Sequence, residues 1–421
     1  MRRDRIKTIA AFAGFGLAVV IVALLAVVRA PVEPGGAGTF QDLRDAGYYG
    51  AQALVDGGNP YDVSAYLAAY PVGQEFPILP PIYPAAHVPL LLLDLEPAGI
   101  LFFALTIAVI VALSAYALRV ARYQVGIVPV LTVSALAIVS NGGRVTLIFG
   151  QATAIFVAAI YLALIASTEH PGRGITGQVV ALAKPTFGLP LFVFLLALGR
   201  VKRAIAGAGI AAVLSLVLLA PIAVAAGGIG PLVDTLRANW EASFANVGAN
   251  LDTSAARIDV AATIRSLFKW TPPSWVEYAL GIAIVAVAVV LITRWRRRTS
   301  VGGDVVVVMI CLATLAGVYH LVYDVLLLLL PVLLAVRRDF AGGALPTTRR
   351  IAVGGMLVAA FNPFHSGTFL GMVDFEVFRI LGPGLTGGGV LVALGAAAWI
   401  LFRLPAARDA AQPVDHAVQL L

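Results

Sequence analysis

Hydrophobic residues in this chain come in long runs separated by short polar segments. The runs lie near residues 8–28, 78–93, 98–118, 126–140, 148–167, 175–198, 204–226, 276–293, 303–318, 321–336, 351–365 and 385–402. Most of them approach the roughly twenty apolar residues that a helix needs to cross the hydrocarbon core of a bilayer. The pattern therefore predicts an all-α polytopic membrane protein, a bundle of about 12 transmembrane helices.

Basic residues concentrate in short clusters between these runs. The clusters are Arg2, Arg3, Arg5 and Lys7; Arg200, Lys202 and Arg203; Arg294, Arg296, Arg297 and Arg298; Arg337, Arg338, Arg349 and Arg350; and Arg403 with Arg408. Because Lys and Arg favour the cytoplasmic side of a membrane, we expect both termini in the cytoplasm of a multi-pass plasma-membrane protein. Two longer polar segments, 29–77 and 227–275, are poor in basic residues and are predicted to be external loops. Residues 1–403 then form a single transmembrane domain, and 404–421 form a disordered cytoplasmic tail.

Two arrangements of the runs agree with this outline. If every run is one span, Arg119 and Arg122 lie outside, against the basic pattern. In the second arrangement 78–93 lies along the outer surface, and 172–199 is two short helices with an outer turn, because its prolines remove backbone donors. The second arrangement makes residues 119–125 cytoplasmic and places Asn141, Arg144, Gln151 and Lys184 on the external side, and we prefer it.

Composition strengthens the membrane assignment and excludes other classes. Of the 421 residues, 60% are hydrophobic and 12% are charged, whereas soluble domains have about a quarter charged residues. The net charge of +7 comes from the orienting clusters, so it does not indicate nucleic-acid binding. The single cysteine, Cys311, and scattered histidines offer no metal-ligand spacing. Residues 8–28 lack a small-x-small cleavage site and are interpreted as a retained first span.

In the first external segment, two carboxylates follow the first span by a short linker that contains glycine and proline, so they lie near the membrane surface. Asp42 and Asp45 begin a helix-like stretch over 42–55, which turn residues at 57–60 end. The ordinary interpretation is a solvated loop. The segment is nevertheless rich in aromatic residues, which suit a lipid interface or a sugar site; they are Tyr48, Tyr49, Tyr61, Tyr66, Tyr70 and Phe76.

Charged and polar residues also occur inside or beside apolar runs. Lys184 stands well inside one, at a cost of roughly 2.5–3.5 kcal/mol unless it has a partner or a role; it could also snorkel to the interface. His320, Tyr323 and Asp324 share one helical face by their spacing, which also suits a hydrogen-bond cluster between helices. Gln151 and Arg144 are weaker candidates, because a lone polar residue near a helix end is often a cap or a packing contact.

The order of these motifs resembles glycosyltransferase family 87. The matching pieces are Asp42-Leu43, Gly58-Asn59-Pro60-Tyr61-Asp62, Gly150-Gln151, Lys184-Pro185 and the stretch from Tyr319 to Asp324. Many members have Asp-x-x-Val-Tyr where this chain has Asp45-Ala46 after Asp42. The resemblance implies the GT-C fold and a membrane hexosyltransferase of the cell envelope. It also implies a polyprenyl-phosphate sugar donor, such as polyprenyl-phosphate mannose, and a lipid or glycan acceptor.

Chemistry of this kind needs a carboxylate base for the acceptor hydroxyl and cationic groups for the departing phosphate. Asp42 would be the base, with Asp45 as the alternative, and Lys184 and Arg144 would hold the phosphate. The predicted substrate-binding set also includes His320, Tyr323, Asp324, Gln151 and Tyr61. No cofactor or metal is expected, and membrane lipids are the other partners.

The competing hypothesis is a secondary transporter or a lipid flippase. Intramembrane Lys, His and Asp would then form a proton relay or a substrate site. Transporters usually have inverted repeats with matching broken helices, whereas this sequence has one broken segment without a counterpart.

Overall fold

The computed structural model describes residues 2–30, 36, 38–73, 79–165, 170–245, 256–298, 302–343, 345–365 and 375–404. In chain order its α-helices are α1 (Arg2–Val28), α2 (Tyr49–Val55), α3 (Val63–Ala69), α4 (Ile82–Ala85), α5 (Leu95–Val120), α6 (Ile127–Val139), α7 (Asn141–Phe149), α8 (Thr153–Ile165), α9 (Pro171–Leu182), α10 (Pro185–Ala197), α11 (Val201–Ala225), α12 (Ile229–Ala245), α13 (Val260–Phe268), α14 (Ser274–Arg298), α15 (Gly303–Gly317), α16 (Leu329–Val336), α17 (Pro346–Phe361), α18 (Phe375–Arg379) and α19 (Leu385–Arg403). Five shorter elements complete the described chain: π-helical turns at Leu43–Tyr48 and Ile380–Gly384, and 3₁₀ helices at Val88–Leu92, Val322–Leu328 and Phe340–Gly343.

The all-α membrane class is confirmed, but the predicted number of spans is not. Within the described ranges, five segments are long and apolar enough to cross a membrane: Asp4–Val28, Leu95–Val120, Val201–Ala225, Ser274–Arg298 and Glu376–Arg403. Helices α6 and α7 would make a sixth span if this pair, bent by 71°, is counted as one. Most remaining apolar runs form helices of 10–17 residues, which are shorter than a straight span requires. The predicted tail beyond 404 lies outside the described residues.

The two irregular regions expected from the prolines are irregular in the structure. Within 79–93 the chain forms only α4 and the 3₁₀ helix Val88–Leu92, so no span occurs there. The run 172–199 is divided between α9 and α10, and Lys184 is the residue that precedes Pro185 at the start of α10. Lys184 has an extended backbone (φ −122°, ψ 95°), because a residue before proline is pushed out of the helical region. The predicted break at Lys184 is therefore confirmed.

Three of the basic clusters meet at one end of the bundle. Arg294 of α14 lies over the Phe402 ring of α19, with 4.7 Å between the guanidinium carbon and the ring centroid. Gly199, just after α10, leaves space that the Arg296 guanidinium occupies. Three elements distant in sequence thus bring their basic ends together, as the clustering of arginines predicts.

The end of α5 joins the same basic end. The charge of Arg337 acts on the Tyr123 hydroxyl, and Tyr123 directly follows Arg119 and Arg122 at the end of α5. Arg119 and Arg122 therefore lie near the cluster that contains Arg337, and the side of the membrane that this end faces stays a prediction.

The predicted site residues lie at the opposite end of the same helices. Helix α10 begins after Lys184 and ends shortly before Arg200. Helix α15 ends two residues before Tyr319, and the chain continues from Asp324 through α16 to Arg337. Helix α15 is the centre of the core, because nearly all its side chains from 305 to 316 are buried. The bundle thus separates a basic end from an end that holds the candidate site.

A glycine contact joins two elements of that second end. A Cβ atom at Gly142 of α7 would lie 2.5 Å from the Leu326 backbone nitrogen, so only glycine permits this approach of α7 to the 3₁₀ helix Val322–Leu328. Helix α7 leads to Gln151, and the 3₁₀ helix contains Asp324. This packing brings the two polar groups into one region.

Candidate active site

Asp42 lies at the start of the π-helical turn Leu43–Tyr48 and is partly exposed. The Gln151 side-chain amide donates a hydrogen bond to its Oδ2 atom. Gly150 makes this contact possible, because it adopts a left-handed conformation (φ 69°) and a Cβ there would lie 2.7 Å from the Leu43 Cβ. Two motifs 109 residues apart in sequence are thus in direct contact.

Asp45 is held very differently. Its carboxylate is fully buried and accepts hydrogen bonds from the Arg44 guanidinium, at 2.5 Å from Nε and 3.1 Å from Nη2. The Gly73 backbone nitrogen lies 3.3 Å from both carboxylate oxygens, and the Tyr66 hydroxyl donates to the Asp45 carbonyl at 2.6 Å. Asp45 therefore holds parts of the polar segment 29–77 together, whereas the Asp42 side chain is partly exposed.

Lys184 and Asp324 form a buried ion pair. The Lys184 Nζ atom lies 2.6 Å from Asp324 Oδ1, and the other oxygen, Oδ2, lies 2.9 Å from His320 Nδ1. The Leu321 backbone nitrogen also donates to Oδ2 at 3.1 Å. Asp324 is 1% exposed, whereas the Lys184 side chain keeps 14% of its surface accessible. Lys184 thus has an anionic partner, and part of its side chain is accessible to a ligand.

Aromatic rings surround this ion pair. The Lys184 ammonium lies 4.8 Å from the Phe187 ring centroid and 4.7 Å from that of Tyr323. The Phe187 and His320 rings are 4.6 Å apart between centroids. His320 is fully buried, and its Nε2 atom has no hydrogen-bond partner within the described chain. Cation–π contacts of this type stabilise an ammonium group in a region with little water.

Asp42 and the Lys184 ion pair face one shared polar region. Gln151, which binds Asp42, is two residues before Thr153, and the Thr153 hydroxyl lies 3.4 Å from Oδ1 of Asp324, the atom that binds Lys184. A carboxylate suited to accept a proton and a cation suited to stabilise an anion therefore occur together. Most of the predicted residues converge here.

A model of a known protein family matches part of the chain, including some of the residues of the site. The model described as Glycosyltransferase family 87 matches residues 78–318, which is more than half of the chain. The chain belongs to glycosyltransferase family 87. No curated protein and no solved structure matches the chain.

Family 87 membership makes the protein a membrane glycosyltransferase, with a sugar donor and an acceptor as its substrates. The matched range contains Arg144, Gln151 and Lys184, whereas Asp42 precedes it and Asp324 follows it. In the structure the residues from outside the matched range contact those within it, since Asp42 pairs with Gln151 and Asp324 with Lys184.

Arg257 of this family 87 enzyme was not predicted from the sequence. It is 1% exposed and pairs with Asp259 at 2.6 Å and with Glu277. Burial disfavours its charge, but Asp259 and Glu277 more than offset this effect and raise the pKa of Arg257. Its guanidinium carbon lies 5.0 Å from the Tyr319 ring centroid. The one signal in the sequence was Asp259, a good helix N-cap, which accepts bonds from the first turn of α13.

The Arg257 segment holds the loop that precedes Asp324. The Ile258 backbone nitrogen donates to the His320 carbonyl at 3.0 Å, and the Val322 nitrogen donates to the Ala256 carbonyl at 2.8 Å. Residues 256–258 of the glycosyltransferase thus fix the backbone around His320.

Several tyrosines of the polar segment 29–77 form a compact cluster. Tyr49 and Tyr70 have ring centroids 5.5 Å apart, as Tyr66 and Tyr70 do at 5.3 Å. Partial burial and a hydrogen bond to Asp56 raise the pKa of Tyr70 to about 12. Tyr61 is buried and donates to the Leu79 carbonyl at 2.6 Å. Its role in substrate binding stays a prediction.

No metal-binding cluster occurs in the part of the chain that the structure describes: no three His, Cys, Asp or Glu residues there are grouped suitably.

Proposed function

We propose that this family 87 enzyme transfers a sugar, mannose, from a polyprenyl-phosphate donor to a hydroxyl of a lipid or glycan acceptor at the outer face of the plasma membrane. The observation that supports this best is the partly exposed Asp42 carboxylate, held by Gln151 beside the Lys184–Asp324 pair. A monophosphate donor needs no nucleotide-binding loop, and the sequence has no glycine-rich loop of that type. The basic residues at the opposite end of the bundle favour an external site.

The proposed step is a single inverting displacement. The acceptor oxygen attacks the anomeric carbon of the sugar, its proton passes to Asp42, and the bond between that carbon and the phosphate oxygen breaks. Polyprenyl monophosphate leaves with the bonding electrons. Lys184 stabilises the charge that develops on the phosphate, and His320 holds the neighbouring carboxylate of Asp324. A general base and a preorganised cation each lower the barrier in such a reaction.

The function can be tested in sealed vesicles that contain the purified protein. Labelled mannose should pass from polyprenyl-phosphate mannose to extracted envelope lipids in the presence of ionophores, since the reaction needs no ion gradient. The Asp42→Asn protein is the matched control. Uptake of label that ionophores abolish, without a mannosylated product, would instead support a transporter.

Topology provides a separate prediction. A cysteine introduced at Val55, which is 59% exposed, should react with an impermeant maleimide added to intact cells. A cysteine at Gln124 should react only after the membrane is opened, because the end of α5 lies with the basic clusters. The natural Cys311 is buried and gives little background. Labelling of Gln124→Cys from outside would contradict the prediction that residues 119–125 are cytoplasmic.

A further inference from the structure

Where α13 meets α14, large apolar side chains face outward. Leu267, Phe268, Trp270, Trp275 and Tyr278 are between 43% and 73% exposed, and we refer to these five side chains as the apolar patch. An exposed apolar surface of this size marks a place that a membrane or another apolar partner covers. The patch therefore needs an occupant.

The opposite side of α13 is polar and buried. Thr263, Arg265 and Ser266 all lie in the interior. The helix packs with this side against α19, because Gly387 leaves no room for a Cβ atom beside the Thr263 hydroxyl. Polar groups inside and apolar groups outside are the reverse of the distribution on a surface that water covers. It is the distribution expected where lipid surrounds a protein.

The first turn of α14 has the same distribution. Trp275 and Tyr278 are three residues apart and so lie on one face of the helix. Glu277, between them, is directed inward, since it pairs with the buried Arg257. Both helices thus turn their charged groups toward the protein and their large apolar groups away from it.

The length of α14 places the patch at a membrane interface. Helix α14 is one of the apolar spans and carries Arg294 at the basic end. Trp275 and Arg294 are about 29 Å apart along α14 at the helical rise per residue, close to the roughly 30 Å thickness of the hydrocarbon core. Trp275 therefore lies at the interface opposite to Arg294, a level at which Trp and Tyr are enriched. Lys269 lies at this level too, because it pairs with Glu376 at the start of another span.

We propose that the apolar patch lies among the lipid headgroups at the interface opposite to the basic end and anchors α13 to the membrane surface. The bilayer is the occupant, because the patch continues into the outward surface of the span α14, where Ile282, Val287 and Val290 are more than half exposed. The Trp and Tyr rings suit the headgroup level, and the Leu and Phe side chains reach toward the acyl chains.

The anchor acts on the candidate site through Arg257. Asp259 caps the start of α13 and pairs with Arg257, and the backbone on either side of Arg257 binds the loop 320–322. The depth of α13 in the membrane therefore fixes the depth of His320. Anchoring requires no sugar transfer, so it is independent of the proposed function.

Fluorescence quenching by brominated lipids measures this depth in the full-length protein. Two variants would keep only Trp270 or only Trp275, with Phe in place of the other tryptophans. Each would be placed in phosphatidylcholine bilayers brominated either near the headgroup or near the end of one acyl chain. The shallow bromines should quench each tryptophan at least about twofold more than the deep ones, because an indole ring at the interface lies close to the headgroups.

Val287→Trp, in a chain without other tryptophans, is the matched control, since it is exposed on the same helix about 18 Å beyond Trp275. It should show the reverse order, with the deep bromines as the stronger quenchers. If the tryptophan replacements impair folding, a fluorophore attached to Phe268→Cys and quenched by spin-labelled lipids gives the same comparison. The natural Cys311 is buried and leaves this label specific.

Three results would overturn the anchor. Trp270 and Trp275 could be quenched by iodide in the water and by neither lipid, which would place the patch in solvent. They could be quenched more strongly by the deep bromines, which would place the patch inside the hydrocarbon core. They could also resist both iodide and lipid, which would mean that a second copy of the chain or another protein covers the patch.

Discussion

Asp42→Asn should lower sugar transfer by about 10²–10⁴-fold, the range that a general base typically contributes. The amide keeps the shape of the carboxylate and can still accept the hydrogen bond from Gln151. It cannot take a proton from the acceptor hydroxyl. Initial rates with labelled donor, together with the melting temperature in detergent, would measure both effects. We expect a melting temperature close to that of the parent protein.

Asp45→Asn is the informative control, because it makes the same chemical change three residues away. The buried Arg44 guanidinium would lose its anionic partner, and breaking a buried pair from one side costs about 3–5 kcal/mol. We therefore expect a lower melting temperature, with the activity of the remaining folded protein less affected than in Asp42→Asn. A stable Asp45→Asn protein that cannot turn over, beside an active Asp42→Asn protein, would reverse the two roles.

Lys184→Met should impair both folding and transfer. It leaves the Asp324 carboxylate, which is 1% exposed, without its cation, and the free energy of unfolding should fall by about 3–5 kcal/mol. Transfer should also fall, because the departing phosphate loses a stabilising charge. Thermal melting and single-turnover rates with saturating donor would measure the two losses.

The double variant Lys184→Met/Asp324→Asn separates these two losses. Removing both charges from a buried pair is often nearly neutral for stability, so the melting temperature should recover. Transfer should remain low if Lys184 acts on the phosphate. Recovery of both properties would make the Lys184–Asp324 pair a purely structural contact.

The sequence predicted the features that depend on local patterns. The apolar runs gave the all-α membrane class, and Pro185 gave the break at Lys184, because a proline restricts the residue before it. The helix-like stretch 42–55 is helical over 43–55 as the π-turn and α2. The number of spans could not be read in the same way, since runs of 10–17 residues can be short buried helices as well as spans.

The partners of the charged residues could not be predicted. Asp42 and Asp45 are three residues apart in one helix-like stretch, and the contacts of Asp45 with Arg44 and Gly73 and of Asp42 with Gln151 are what distinguish them. Lys184 was singled out for the cost of burying a charge, but no pattern indicates that Asp324 offsets this cost. Arg257 was overlooked because an arginine in a polar segment looks exposed, while the pairing of its backbone with 320–322 buries it.

The ribosome makes Lys184 long before it makes Asp324. At about 5–20 residues per second, the 140 residues between them take about 7–30 s to synthesise. During that interval the lysine has no anionic partner, and placing it at the bilayer centre would cost roughly 2.5–3.5 kcal/mol. Helices α9 and α10, at 12 and 13 residues, are also too short to cross a 30 Å core comfortably. We therefore expect this hairpin to insert into the membrane only when the segment with Asp324 emerges, so that its insertion and the assembly of the site occur together.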